Sequence, residues 1–209
     1  MPKWALFERL WHHYDQWFDE HQRIYETELQ ALQRLLPPFQ KALEVGVGTG
    51  RFSAPLGIEL GLEPSQAMAK IARQRGIEVI EGVAEKLPFE DESFDLVLMV
   101  TTVCFVDDTQ QALKEAYRVL KKGGYLIVGF IDKNSPLGRF YQANKDKSRF
   151  YKEARFFSKE EIIELLKKTG FSIETCNEAL FGDTLSSLSY EIYDGCTQKG
   201  AFIGIRAKK

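Results

Sequence analysis

The sequence is poor in the features that announce several classes of protein. Its 209 residues include three cysteines, Cys104, Cys176 and Cys196, widely spaced and in no C-x-x-C pair. That spacing argues against a zinc site or a disulfide scaffold, and it fits a reducing cytoplasm. No stretch approaches the roughly 18 apolar residues of a membrane span. The opening Met1-Pro2-Lys3-Trp4 leads into a charged amphipathic run, unlike the apolar core of a secretion signal. The expectation is a cytoplasmic protein with no membrane partner. Excess positive charge is lacking too: 28 Lys and Arg against 30 Asp and Glu leave a formal charge of −2. The densest basic stretches, Lys121-Lys122 and Lys208-Lys209, read as solvated chain ends, so nucleic acid is disfavoured as a partner. There is no internal repeat, no low-complexity segment and no convincing linker. A single domain over 1–209 is expected, and its oligomeric state is left open.

What is present fits a packed α/β domain. Hydrophobic residues make up 44% and charged residues 28%, enough to build a sizeable core in a chain of this length. Trp11, Tyr14, Phe18, Tyr25, Leu29, Leu32 and Leu36 recur in steps of three, four and seven, which predicts one helix or two consecutive helices. Pro37-Pro38 ends that run. Short apolar strands are then expected at 41–45, within 56–62, and at 77–80, 94–100 and 124–131. Between them, helices are expected at 65–75, with Ser65 as N-cap, and at about 109–121, with Asp108 and Gln111 at capping-box spacing and Lys121-Lys122 in the last turn. Ser158 and Glu161 open a further helix that stops at Gly170. Strands at 171–180 and 201–205 follow with no clear helix between them, which suggests an antiparallel pair at the sheet edge. Strand–helix alternation of this kind predicts a doubly wound, mostly parallel sheet with helices on both faces. The expected layout is an N-terminal helical layer (1–38), a core (39–132), an insertion (133–157) and a C-terminal helix with edge strands (158–209). The insertion reads either as a surface excursion with a short helix or as a substrate lid.

The chemistry gathers around Gly46, Gly48 and Gly50, which follow a strand and precede a helix. Glycine lets the chain turn tightly and approach a ligand where a Cβ would collide. The dinucleotide fingerprint G-x-G-x-x-G would need glycine at 51, where Arg51 stands. Glu44 lies two residues before the first glycine. Glu63 ends the next strand, placed to accept both ribose hydroxyls of an adenosine; the alternative is a solvated acid leading a helix. Only six residues separate Gly50 from Gly57, so the first helix or its return loop is expected to be short.

Residues 41–131 resemble the core of the class I, Rossmann-like S-adenosylmethionine-dependent methyltransferases, in particular those acting on small molecules. The resemblance rests on Leu43 through Phe52, Gly61 through Ser65, Gly82 through Phe89, Phe94-Asp-Leu-Val97 and the stretch into Arg118 through Gly124. It implies a seven-stranded sheet whose final strand is reversed, and S-adenosyl-L-methionine as cofactor. It further implies Gly46, Gly48 and Gly50 under the methionine and ribose, with Glu44 toward the methionine amino end. Glu63 would bind the ribose hydroxyls, Met68 would cover one adenine face, and Ala84 and Glu85 would read the adenine amino group. Thr101 would face the methionine end and the acceptor. Tyr14-Asp-Gln-Trp17-Phe18 is similar to the aromatic helix that covers the cofactor in related small-molecule enzymes, which puts Tyr14 against the cofactor.

The implied activity is methyl transfer by in-line displacement to nitrogen, oxygen or carbon of a small molecule. No N-P-P-Y type segment is present, which lowers the amide and adenine N-methylating branch. Trp17, His12, His13, His21 and Tyr141 are further candidates for the mouth of the site, and neither a catalytic base nor a metal ligand is singled out. Two other readings compete, a nicotinamide-dependent oxidoreductase and a non-catalytic cofactor-binding domain.

Overall fold

The computed structural model describes residues 2–197 and 199–209; Met1, the first residue of the amphipathic opening, lies outside them. Two helices, α1 (Ala5–Glu20) and α2 (Gln22–Leu35), precede the sheet. The chain then alternates through β1 (Ala42–Val45), α3 (Ser53–Leu56), β2 (Leu60–Leu62), α4 (Gln66–Gln74), β3 (Glu78–Ile80), β4 (Phe94–Val100), α5 (Thr109–Val119) and β5 (Leu120–Ile131). It closes with α6 (Pro136–Ala143), α7 (Lys159–Thr169), β6 (Ser172–Phe181), β7 (Ser189–Asp194) and β8 (Phe202–Lys208).

Among the described residues, eight strands form one sheet in the order β3-β2-β1-β4-β5-β8-β6-β7. The first five are parallel, and β8 runs antiparallel between β5 and β6. The fold is therefore the expected doubly wound α/β sheet with a reversed strand, carrying eight strands where seven were expected. The additional edge strand, β7, comes from a stretch that reads as polar because only Tyr190 and Ile192 alternate inward.

Alternation along β4 explains why that run is so apolar. Val97 and Met99 pack with the layer that holds α5 and α7, whereas Leu96, Leu98 and Val100 pack with the layer under α2. A strand covered on both faces has no polar side to present. The caps fall where the sequence puts them: Ser65 accepts from the Met68 amide, Asp108 from the Gln111 amide, and Ser158 with Glu161 forms a reciprocal capping box. The first core helix, α3, spans four residues and ends at Gly57 in the left-handed conformation, in keeping with the short Gly50–Gly57 spacing.

Two further expectations need correction. Helix α5 ends at Val119, so Lys121 and Lys122 lie in the irregular start of β5; the chain turns at Gly123 (φ 77°), and Lys121 pairs with Asp95 at 2.9 Å. Cys176 and Cys196 are joined as a disulfide with Cα atoms 5.9 Å apart, although their spacing gave no hint of a bridge. The β6–β7 hairpin folds residue 195 back onto 176, where the Gly195 amide donates to the Cys176 carbonyl at 2.7 Å. A separation of 20 residues hides that neighbourhood until the hairpin is known. No helix among the described residues is long and apolar enough to cross a membrane.

Candidate active site

A cleft opens at the carboxyl ends of β1, β2 and β4, where the strand order reverses between β1 and β4, the usual place for a ligand in an open α/β sheet. It encloses about 730 Å³ of free space, counting its mouth, within the range of small-molecule sites. Gly46, Gly48, Glu63, Met68, Ala84, Glu85, Thr101 and Tyr14 all line it. Eight of the ten residues expected to meet a cofactor are thus brought together. The other two, Glu44 and Gly50, are not on its wall.

Each glycine answers a different constraint. Gly46 has φ 74°, and a Cβ there would lie 2.5 Å from the Thr102 hydroxyl. Thr102 is fixed by donating to the Val45 and Val100 carbonyls at 3.0 and 3.1 Å, so it has little room to yield. Gly48 (φ 55°) lies beneath the Tyr14 ring and the Met68 methyl. Gly50 (φ 81°) abuts the Ala72 backbone on α4 and shapes the loop from behind.

The carboxylates divide in the same way. Glu63 is buried, and its two oxygens accept from the Gly48 and Ser65 amides, each at 2.9 Å. A carboxylate has about four lone-pair sites, so each oxygen can accept one more donor from the cleft. That pair of free acceptor sites matches the vicinal hydroxyls of a ribose. Burial pushes the Glu63 carboxyl up to about 7 despite those two amides. Glu44 is fully enclosed and accepts from the Ser53 hydroxyl, and burial raises it to about 8. Glu85 lines the cleft while one of its oxygens accepts from the Asp107 and Asp108 amides at 2.7 and 3.1 Å, holding the loop after β4 against the wall.

Helix α1 roofs the cleft and is pinned at both ends. Lys3 donates to the Val106 carbonyl at 2.8 Å, and Glu8 accepts from the Ser65 hydroxyl at 2.6 Å and the Ala67 amide at 3.1 Å. Farther along, Asp15 accepts from Thr49, Arg51 and Arg75 at 2.6–2.9 Å, and Arg51 also grips Asp19. Burial would raise the Asp15 carboxyl, yet the hydrogen bonds from Arg75, Arg51 and Thr49 hold it well below the usual carboxylate range. Arg51, which breaks the dinucleotide pattern, is the residue that clamps the roof to the glycine loop.

A second cavity continues from the first, and Phe7, Tyr14, Thr101 and Phe105 line both. Its wall is aromatic. Tyr141 and Tyr151 stack at 4.8 Å, Tyr14 meets Phe18 edge-on at 5.1 Å, and Trp17 and Phe150 complete that side. Thr101 stands at the junction with φ 54°, an unfavourable conformation for a β-branched residue of the kind that gathers at functional sites. Leu180, also at positive φ (62°), lines the far wall. Trp17 and Tyr141, expected near the mouth of the site, line this chamber. The histidines line neither cavity: His21 stacks on Trp17 at 4.6 Å, and His13 meets Arg149 at 3.1 Å beside His12.

Sequence reasoning missed Trp4, Phe7, Phe105 and Glu28. Trp4 and Phe7 continue the Trp11–Tyr14–Phe18 spacing one turn earlier and were legible by extending it. Glu28 is an acid in the middle of the buried face of α2, between Ile24 and the run Ala31, Leu32 and Leu35. No group of three or more His, Cys, Asp or Glu that could hold a metal occurs among the described residues.

Comparison with known proteins agrees with this geometry. A family model described as a methyltransferase domain matches residues 43–128. A crystal structure from Thermotoga maritima, described as an S-adenosylmethionine-dependent methyltransferase and possible histamine N-methyltransferase, is 53% identical, with a TM-score of 0.93 and 99% of each chain covered. An uncharacterized protein from Methanocaldococcus jannaschii is 43% identical over 98% of both chains. A demethylmenaquinone methyltransferase from Chlorobaculum tepidum is 39% identical over 110 residues, covering 48% of this chain and 46% of its own length.

Proposed function

The chain belongs to the class I S-adenosylmethionine-dependent methyltransferases, and from that premise we propose that its acceptor is a small molecule seated in the aromatic chamber behind Thr101. One observation carries this reading: the cofactor cleft and the chamber share Phe7, Tyr14, Thr101 and Phe105, so a molecule in one meets a molecule in the other. S-adenosylmethionine, when bound, supplies a methyl group already activated on a cationic sulfur. It would offer that carbon to a nucleophilic atom of the acceptor by in-line displacement, with S-adenosylhomocysteine as the leaving product.

The protein's part is orientation and the exclusion of water. In this reading Glu63 accepts the two ribose hydroxyls, and the Gly46–Gly48 turn lets the backbone approach closely. Met68 and Ala84 flank the adenine, with Glu85 near its amino group. Tyr14 closes over Gly48, its aromatic face favouring the sulfonium charge. Gly50 and Glu44 act from behind, Gly50 by seating the loop on α4 and Glu44 by fixing Ser53. The segment 133–157, which contributes Leu137, Tyr141, Phe150 and Tyr151 to the chamber, covers the acceptor. Nitrogen, oxygen and carbon acceptors are all compatible with this arrangement. The menaquinone-type relative matches less than half of the chain, so it bears on the cofactor half more than on the chamber.

Thermal unfolding tests the cofactor side. S-adenosylhomocysteine raises the melting temperature by mass action and NAD does not. Stabilisation by NAD alone would overturn the assignment. Measurable methyl transfer to any acceptor, in a screen with labelled cofactor, separates an enzyme from a protein that only binds.

A further inference from the structure

The aromatic chamber holds one carboxyl group with nothing to bond to. Glu28 is 6% exposed, lines the chamber, and has no hydrogen-bond or ion-pair partner among the described residues. Other buried acids in this protein are satisfied, Glu63 by two amides and Glu44 by Ser53. The Glu28 oxygens are not among the sealed, partnerless polar atoms of the interior but open on the cavity, so a partner that arrives from outside can reach them.

The chamber also states what that partner is. Among the described residues no Lys, Arg or His lines it. Tyr14, Tyr141 and Tyr151 line the chamber with Glu28, and burial first, then the charge of nearby carboxyls including Glu28, disfavours ionisation of their hydroxyls. Aromatic faces carry negative potential and attract cations, most strongly where water is excluded. A carboxyl ringed by such faces is matched to a protonated nitrogen base.

Resting on the methyltransferase reading above, we infer that Glu28 is a specificity-determining residue that holds a basic nitrogen of the acceptor, so that the natural acceptors are small molecules carrying a basic nitrogen in addition to the atom that is methylated. An amine arriving as the free base takes the proton of the carboxyl, and one arriving as ammonium displaces that proton to water; both routes end in the same ammonium–carboxylate pair. Glu28 thereby recognises and orients the acceptor and takes no part in the methyl displacement itself. Burial, which pushes the Glu28 carboxyl up to about 8 in the free protein, adds to the selectivity, because a neutral ligand leaves it protonated and gains no ion pair.

The test is calorimetry on the full chain saturated with S-adenosylhomocysteine, with histamine and 2-phenylethylamine as cationic probes and 2-phenylethanol as the neutral isostere of the latter. At least one amine should bind the wild type. Its affinity should fall about tenfold or more in Glu28→Gln, the scale of losing a charge-assisted bond, while 2-phenylethanol does not distinguish the two proteins. Glu28→Asp should retain the preference for amine over alcohol. S-adenosylhomocysteine affinity within twofold of wild type in both variants shows that they are folded and that the cofactor reading stands. Equal amine affinity in wild type and Glu28→Gln, or no binding of either amine to a cofactor-loaded wild type, overturns the role of Glu28 alone. Failure of S-adenosylhomocysteine to bind the wild type overturns the underlying reading with it.

Discussion

Glu63 has both oxygens engaged by backbone amides and still keeps an acceptor site on each, which is what two ribose hydroxyls require. Charge-assisted bonds of this kind contribute about 1.5–3 kcal/mol. Glu63→Ala should therefore weaken S-adenosylhomocysteine roughly tenfold or more by calorimetry. Affinity unchanged from wild type would remove Glu63 from the site. At this scale the sequence was informative where chemistry and chain position coincide. Glu63 sits at a strand end, a fixed distance beyond a glycine loop, and both facts can be read from spacing. Glu28 obeys no such rule, because its importance lies in the residues that fail to meet it, and only packing reveals that. Thr101 is intermediate: its place just past β4 was legible, but its positive φ was not.

At the scale of elements, α1 matters as a roof whose attachment depends on a few polar groups. Its middle is anchored by Asp15, which is side-chain buried to 17% exposure and gripped by Arg51 and Arg75. Removing one partner of such a buried pair strands the others and costs about 3–5 kcal/mol in fully buried cases, so about 2–3 kcal/mol is reasonable here. Asp15→Asn should lower stability by that amount in chemical denaturation. It should also speed limited proteolysis near the α1–α2 junction at His21 and weaken S-adenosylhomocysteine several-fold. Proteolysis no faster than wild type would mean that α1 is held by its aromatic face alone. The helices and caps around this element were legible because proline, capping residues and apolar spacing act locally. The clamp was not, since Asp15 and Arg51 are 36 residues apart and Arg51 read only as a missing glycine. The end of α5 was misplaced for a related reason: Lys121 has a favourable role in a helix terminus, yet its actual partner is Asp95 on a neighbouring strand.

Across the whole molecule, three buried carboxyls tie stability to pH in one direction. Burial raises Glu28 to about 8, Glu44 to about 8 and Glu63 to about 7, whereas an unfolded glutamate titrates near 4.3. Below about pH 4.3 these groups are protonated in both states and penalise neither. As pH rises, the unfolded chain ionises first, so the folded state loses relative stability until pH passes the folded values of about 7–8. Each group contributes at most about 1.4 kcal/mol per pH unit over that window. Asp15 acts in the opposite sense: its depressed carboxyl stabilises above the ordinary Asp range near 3.9, and that contribution is lost as pH falls further.

The ligand-free protein should therefore be most stable in mildly acidic solution, with a melting temperature that declines from about pH 5 to pH 8. For a chain of this size each kcal/mol corresponds to roughly 2–4 °C, so the decline is several degrees or more. Glu28→Gln removes one of the three titrations and should flatten the slope, with its largest gain over wild type near pH 8. Saturating S-adenosylhomocysteine should lift the curve at every pH while leaving the Glu28 contribution in place, because that carboxyl faces the acceptor chamber. A wild-type melting temperature that rises from pH 5 to pH 8, or a Glu28→Gln curve parallel to it, would show that water reaches these carboxyls freely and that the chamber is not the dry, cation-seeking site its walls describe.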